Sequence, residues 1–334
     1  MLRVLLGFAL VLRLAVPSSF IYEDRAADQA IRHTIESTYN LQLSEARLTA
    51  RNLQQRYPDH PVGFLLDAET YWWEAQMDPT RSAIEDQFFK IQEKTIDIGE
   101  RALKAKKYPE TEIKAYLASA WGSKARFRLT QRGIGLRTVL DGRNAHGYAE
   151  EVYKADPGYT DILVGIGAYN YFTGKIPAIL KPLAFLFGAH GDAALGLQQI
   201  RKVVDNGRYA RTEARIVLFT ALMQDGAYAE SLRVVEGLMA DYPKNYALYP
   251  WVSEWYVEQD KARDGTLYFE KLASTLAARS PGLAQYALFE KAALQNLDGN
   301  PSAARSTLSR LRSLGTPDSA LQRTLAAFER GLKK

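Results

Sequence analysis

The 334 residues predict an all-α protein, a right-handed solenoid of antiparallel helix pairs with about twelve to fourteen helices. Three observations predict it. From residue 20 onward apolar residues recur at three- and four-residue intervals, and no convincing run alternates with period two. Turn residues arrive at helix-length spacing along the whole chain. One set of offsets, a small residue followed by two large ones and a proline, returns several times in order.

The chain opens with MLRVLLGFALVLRLAVPSSF. Arg3 gives a basic start, Val4 to Leu12 an apolar core, and Val16 to Ser18 a small-residue cleavage site, so residues 1–19 are expected to be an export signal. Arg13 interrupts the apolar stretch. The alternative is an inner-membrane anchor over residues 4–18, although a permanent span needs about 20 apolar residues. The expected location is periplasmic or otherwise exported. Residues 20–334 are expected to form one helical-repeat domain.

Within it, LSEARLTARNLQQRYPDHP carries Ala46, Ala50, Leu53 and Pro58, and DGRNAHGYAEEVYKADP carries Ala145, Ala149, Val152 and Pro157. Next comes YNYFTGKIPAILKPLAFLFGAHGD, apolar but punctuated by Pro177, Pro182, Lys175 and Lys181. It belongs to an atypical proline-containing insert at about 159–206, read as buried helices broken at Gly174 to Pro177, because its longest charge-free run is too short to span a bilayer. Then follow Leu218, Leu222, Gly226, Tyr228, Ser231, Val235, Leu238 and Pro243, whose offsets resemble a tetratricopeptide repeat. Val252, Tyr256, Asp260, Gly265, Phe269 and Leu272 repeat them 34 residues on. Gly299, Ala304, Leu308 and Leu311 suggest a last pair, and Leu321, Leu325, Phe328 and Leu332 a terminal stripe. Small residues stand where two helices cross closely, and large ones fill the space on either side.

In the middle of the chain, AYLASAWGSKARF, ADPGYTDILVGIGAYNYF, KIPAILKPLAFLFG and HGDAALGLQQI occur in order. Together they resemble a family of tetratricopeptide-repeat proteins of bacterial envelopes, distantly similar to the eukaryotic inclusion body clearance proteins. The pattern falls on Gly165, Gly167, Tyr169, Asn170, Tyr171, Pro177, Gly191, Asp192 and Gly196. Ala193 departs from it, since a basic residue often follows the Gly-Asp pair in that family. The resemblance implies a scaffold or adaptor and transfers no catalytic residues.

Composition agrees with a folded chain: 47% hydrophobic and 24% charged residues, with a formal charge of +5. Cysteine is absent, which excludes disulfides, thiolate metal sites and thiol nucleophiles. From Arg101 to Arg143 eleven Lys or Arg face only Glu110, Glu112 and Asp141, which reads first as the solvated side of long helices and second as a patch for an anionic partner.

Chemistry-bearing constellations are missing. His33, His60, His146 and His190 are scattered without metal-ligand spacing. Asp192 reads as an N-cap rather than as the partner of His190. Gly165 and Gly167 lack a nucleotide fingerprint and are expected to mark close helix approach. No catalytic, cofactor-binding or metal residue is assigned, and no cofactor or nucleic-acid partner is expected. The leading reading is a non-enzymatic adaptor of the cell envelope that binds a protein or peptide in the groove of the solenoid. Its groove candidates are Tyr71, Trp72, Trp121, Asn170, Trp255 and Tyr256, with Trp72 and Trp73 pointing in different directions. Weak contact with an anionic membrane surface is the second reading, and a cell-wall enzyme the third.

Overall fold

The computed structural model describes residues 20–77, 82–133, 135–177, 179 and 190–332. The expected export signal and the whole run from 180 to 189, with Lys181 and Pro182, lie outside them. Fifteen α-helices and three short 3-10 turns account for the described architecture, and no strand occurs among the described residues. That is one helix more than the upper bound expected from sequence.

The helices form seven successive pairs and a closing helix. The first three pairs are α1 (Arg25–Tyr39) with α2 (Leu43–Arg56), α3 (Val62–Met77) with α4 (Ser82–Ala105), and α5 (Glu110–Arg132) with α6 (Leu136–Ala155). Next come α7 (Leu163–Gly174) with α8 (Ala193–Asn206), α9 (Arg211–Gln224) with α10 (Tyr228–Asp241), and α11 (Tyr249–Val257) with α12 (Ala262–Leu276). The last pair is α13 (Pro281–Leu297) with α14 (Pro301–Ser313), and α15 (Ser319–Gly331) ends the array. From α1 to α14 each helix packs on its neighbours in sequence, and first helices also touch the first helices of adjacent pairs: α1 on α3, α3 on α5, α5 on α7 and α7 on α9.

Four of the turns inside pairs are one structure. Leu41, Gly226, Asp260 and Gly299 have φ of +56°, +69°, +57° and +76°. In each case the next backbone N–H reaches back to the carbonyl five residues earlier: Gln42 to Ser37, Ala227 to Leu222, Lys261 to Tyr256 and Asn300 to Gln295, at 2.8–2.9 Å. This is the Schellman ending of a helix, which satisfies carbonyls that would otherwise be orphaned. Five residues after each turn stands a buried small residue, Ala46, Ser231, Gly265 or Ala304, and four further on a buried Ala50, Val235, Phe269 or Leu308. The repeat offsets seen in the sequence are therefore the register of one turn and one helix crossing.

The fourth pair crosses most tightly. A Cβ on Gly196 would meet Tyr171 N at 2.4 Å and Gly167 O at 2.5 Å, so α7 and α8 touch backbone to backbone. Gly165 is different. It faces solvent with nothing within 4 Å of where a Cβ would stand, which corrects the expectation that both glycines serve the crossing. Leu163, Ile166 and Tyr171 are buried, and the Tyr171 hydroxyl reaches the Ala221 carbonyl at 2.7 Å and Asp225 at 2.8 Å. Among the described residues no helix is long and apolar enough to cross a membrane.

The array does not run straight. Tyr39, at the end of α1, packs on Trp73 of α3 and on Tyr242 at the end of α10, with ring centroids 5.7 and 5.3 Å away. Its carbonyl accepts from Asn245 Nδ2 at 2.8 Å. Trp73 faces Trp251 of α11, and Asp28 of α1 binds Arg208 and Tyr209 in the turn between α8 and α9. The solenoid thus curls until its first two pairs touch the fifth and sixth.

Candidate functional site

Inside the curl, three charged side chains from three first helices meet. Arg126 of α5 donates to Glu69 of α3, Nη2 to Oε2 at 2.6 Å, and to Glu213 of α9 through Nη1. Ser123, one turn before Arg126, donates to Glu69, and Gln92 of α4 lies 3.4 Å from the same carboxylate. Tyr39 donates to Glu213 at 3.3 Å. The Arg126 guanidinium lies 4.1 Å from the centroid of the Trp72 ring, which meets Trp73 edge to face.

Protein surrounds this node, yet its charged side chains keep 22% (Arg126), 25% (Glu69) and 27% (Glu213) of their exposure. Burial raises the Glu69 pKa, with Glu213 adding to the effect and Arg126 and Ser123 opposing it. For Arg126, burial works against the charge, but the two carboxylates outweigh it and hold the guanidinium protonated. One cation between two anions leaves the node with surplus acceptor capacity. Three buried polar atoms of the residues that form it, Trp72 Nε1, Gln92 Oε1 and Arg126 Nε, have no hydrogen-bond partner among the described residues. Such atoms are costly to leave unpaired.

Packing alone does not account for these charges. Desolvating an ion costs several kcal/mol, and apolar residues of similar volume often hold a fold as well or better. The node ties α3, α5 and α9 together, and it offers donors and acceptors to whatever enters.

Where the curl closes, a cleft of about 690 Å³ opens between α1, the turn before α9 and the end of α10. Arg32, His33, Glu36, Arg208, Tyr209, Arg211, Thr212 and Tyr242 line it. Tyr242 forms its floor, with its hydroxyl 2.7 Å from that of Thr212.

A second buried charge lies toward the N-terminus. Glu112 is fully buried, and both its oxygens accept from the Ile21 N–H, at 3.0 and 3.2 Å. Burial pushes its pKa up to about 8. The equally buried His60 stands 3.8 Å away and accepts from the Val62 N–H through Nδ1, so its proton sits on Nε2, facing Glu112. Burial lowers the His60 pKa to about 3.

The aromatic candidates fall into two groups. Trp72 and Trp255 are core residues at 3% and 7% exposure, and Trp255 Nε1 donates to the Tyr228 carbonyl at 2.8 Å. Trp73 is buried as deeply as Trp72, so the two do not divide between core and surface; α3 is covered on both sides. Tyr71, Trp121, Asn170 and Tyr256 are half-buried. Arg47 covers Tyr71 at 3.9 Å, Lys124 covers Trp121 at 4.5 Å, Asn170 donates to Gln199 at 2.9 Å, and Tyr256 packs on Tyr268. Trp72 alone of the six touches the charged node.

The remaining signature residues are structural neighbours. Tyr169 stacks on His146 at 3.9 Å, a Cβ on Gly191 would strike Thr173 and Asn170, and Pro177 is exposed beyond the end of α7. Asp192 caps α8 by accepting from Ala194 and Leu195 at 2.9 and 3.1 Å. No group of three or more His, Cys, Asp or Glu able to hold a metal ion occurs among the described residues.

Glu69, Glu213, Glu112 and His60 were not singled out from sequence. A signal existed for Glu69: with Asp67 and Glu74 it interrupts an otherwise apolar helix, where a charge needs a reason. The basic stretch 101–143 also resolves differently from a uniformly solvated face. Lys107 pairs with Asp59, Lys114 with Glu110 and Glu151, and Arg128 with Asp141, while Arg126 enters the node.

No family model matches the chain, and no curated protein matches it. Among solved structures, a tetratricopeptide repeat protein from Parabacteroides merdae ATCC 43184 is similar over 89% of this chain and 98% of its own, at 14% identity and a TM-score of 0.36. The C-terminal part of a TPR repeat-containing protein from Cytophaga hutchinsonii is similar over 87% and 98%, at 17% identity and a TM-score of 0.35.

Proposed function

We propose that the chain is an exported, non-enzymatic helical-repeat scaffold of the cell envelope, binding a protein or peptide segment that presents a basic side chain to the inner face of the curl. The observation that carries this is the node. Two carboxylates share one guanidinium, part-exposed, beside Trp72 and three unpaired polar atoms. A lysine or arginine entering there would complete the charge balance and find an acceptor in Gln92 Oε1. Export rests on Arg3, the apolar stretch that follows and the small residues 16–18.

An array of peptides, with and without Lys or Arg, tests the binding. Wild-type protein retains the basic peptides, and the Glu213→Gln variant, compared at a temperature where both proteins are folded, retains them about tenfold less, the loss of one charge-assisted hydrogen bond. Equal retention by the two proteins refutes the site. N-terminal sequencing of the protein from fractionated cells tests export; an intact Met1 in the cytoplasmic fraction refutes it.

A further inference from the structure

Exposed large apolar side chains are concentrated on one rim. Leu129 at the end of α5, Leu136 and Leu140 at the start of α6, Phe172 near the end of α7, Ile179 beyond it and Leu195 at the start of α8 are all exposed, from 36% at Phe172 to 87% at Ile179. They share an edge because of the topology. The hairpin of α5 and α6 turns at 133–135, and α6 runs antiparallel to α7, as the stacking of His146 on Tyr169 shows. Gly174 then meets Ala193, which puts the end of α7 beside the start of α8.

Charge follows the same edge. Arg137 and Arg143 are exposed and have no ion-pair partner among the described residues. The acids nearby are engaged: Asp141 by Arg128, Asp225 by Lys175 and Asp192 by the helix it caps. Chain length adds to this. Residues 180–189, LKPLAFLFGA, leave and rejoin the described structure at Ile179 and His190, on this rim, with one charge, Lys181, among them.

We infer that this rim docks on an anionic lipid surface, with Leu136, Leu140 and Ile179 entering the headgroup boundary and Arg137 and Arg143 meeting lipid phosphates. Apolar side chains beside two unpaired cations suit that boundary, where burial and electrostatic attraction act together. Protein partners of the inner face are left free to bind at the same time.

The absence of cysteine makes the test direct, because an introduced cysteine is the only labelling site. An environment-sensitive dye is attached to Leu136→Cys, and separately to Leu267→Cys, which replaces an exposed leucine of α12 away from the rim. Full-length protein is mixed with phosphatidylcholine vesicles with or without 30% phosphatidylglycerol, a choice of probe that follows the charge argument. The dye at 136 shifts to the blue on anionic vesicles at low salt, and the dye at 267 does not. The Arg137→Gln/Arg143→Gln variant, with unchanged thermal unfolding, partitions about 30-fold less, the factor for two surface cations. No shift at 136, an equal shift at both positions, or equal partitioning of the charge variant overturns the inference. So does a blue shift at 136 that grows with protein concentration without vesicles, which would make a second copy the occupant.

Discussion

Glu112 carries the sharpest consequence at the scale of single residues. Its carboxyl sits at about 8, far above the usual 4.5, because burial disfavours the anion. The folded state therefore holds a proton that the unfolded chain releases near pH 4.5. The stability this lends is fully present below that pH and is lost as pH rises through about 8. The difference is worth roughly 5 kcal/mol. Thermal unfolding between pH 7 and 8.5 is expected to show a falling Tm in the wild type and a flatter profile in Glu112→Gln, where the amide oxygen still accepts from Ile21. A slope unchanged by that substitution would show that the loss arises elsewhere. His60 acts in the opposite direction below about pH 6.5: neutral in the folded state, with its pKa lowered to about 3, it takes up a proton on unfolding, so its contribution grows as pH rises to that point and offsets that of Glu112 there.

Among the elements, the crossing of α7 and α8 offers a paired test. Gly196→Ala places a methyl group 2.4 Å from the Tyr171 nitrogen, so two backbones must separate, at a cost of about 1–3 kcal/mol or more. Gly165→Ala meets nothing and gains helix propensity, up to about 1 kcal/mol in the stabilising direction. Chemical denaturation of both variants measures the contrast, and similar losses would contradict the crossing. Gly165 and Gly167, which packs on Gly196, mark how far sequence reasoning reaches. Gly-x-Gly announces that something unusual happens on the helix, but only the direction of each Cα settles which glycine is needed. The turns were more legible, because Gly226, Asp260 and Gly299 precede their small residues by a constant five. Leu41 makes the same turn with no glycine to announce it, held by the hydrogen bonds and by packing against the core. The charged node was illegible for a plainer reason. Glu69, Arg126 and Glu213 lie far apart in the chain; stacking of α3 on α5 brings the first two together, and the curvature of the array adds Glu213.

For the molecule as a whole, curvature turns a string of neighbours into a closed circuit. An open repeat array frays and unfolds in parts, since each unit touches only the next. Here Tyr39 touches Tyr242 and Asn245, and Asp28 touches Arg208, so the beginning of the array is fastened to its second half. Denaturant unfolding followed by tryptophan fluorescence and by helical circular dichroism is expected to give superimposable single transitions. Two separated transitions would mean that the fastening contributes little.

That fastening also bears on how such a chain can change over time. Open solenoids can gain or drop a unit in the middle, because any interface fits the next one. Duplicating a pair between α3 and α9 in this protein would carry Asp28 away from Arg208 and part Glu69 from Glu213, leaving carboxylates stranded without their arginines. The number of units between those points is therefore fixed by the need to meet, as the number of staves is fixed in a hooped cask.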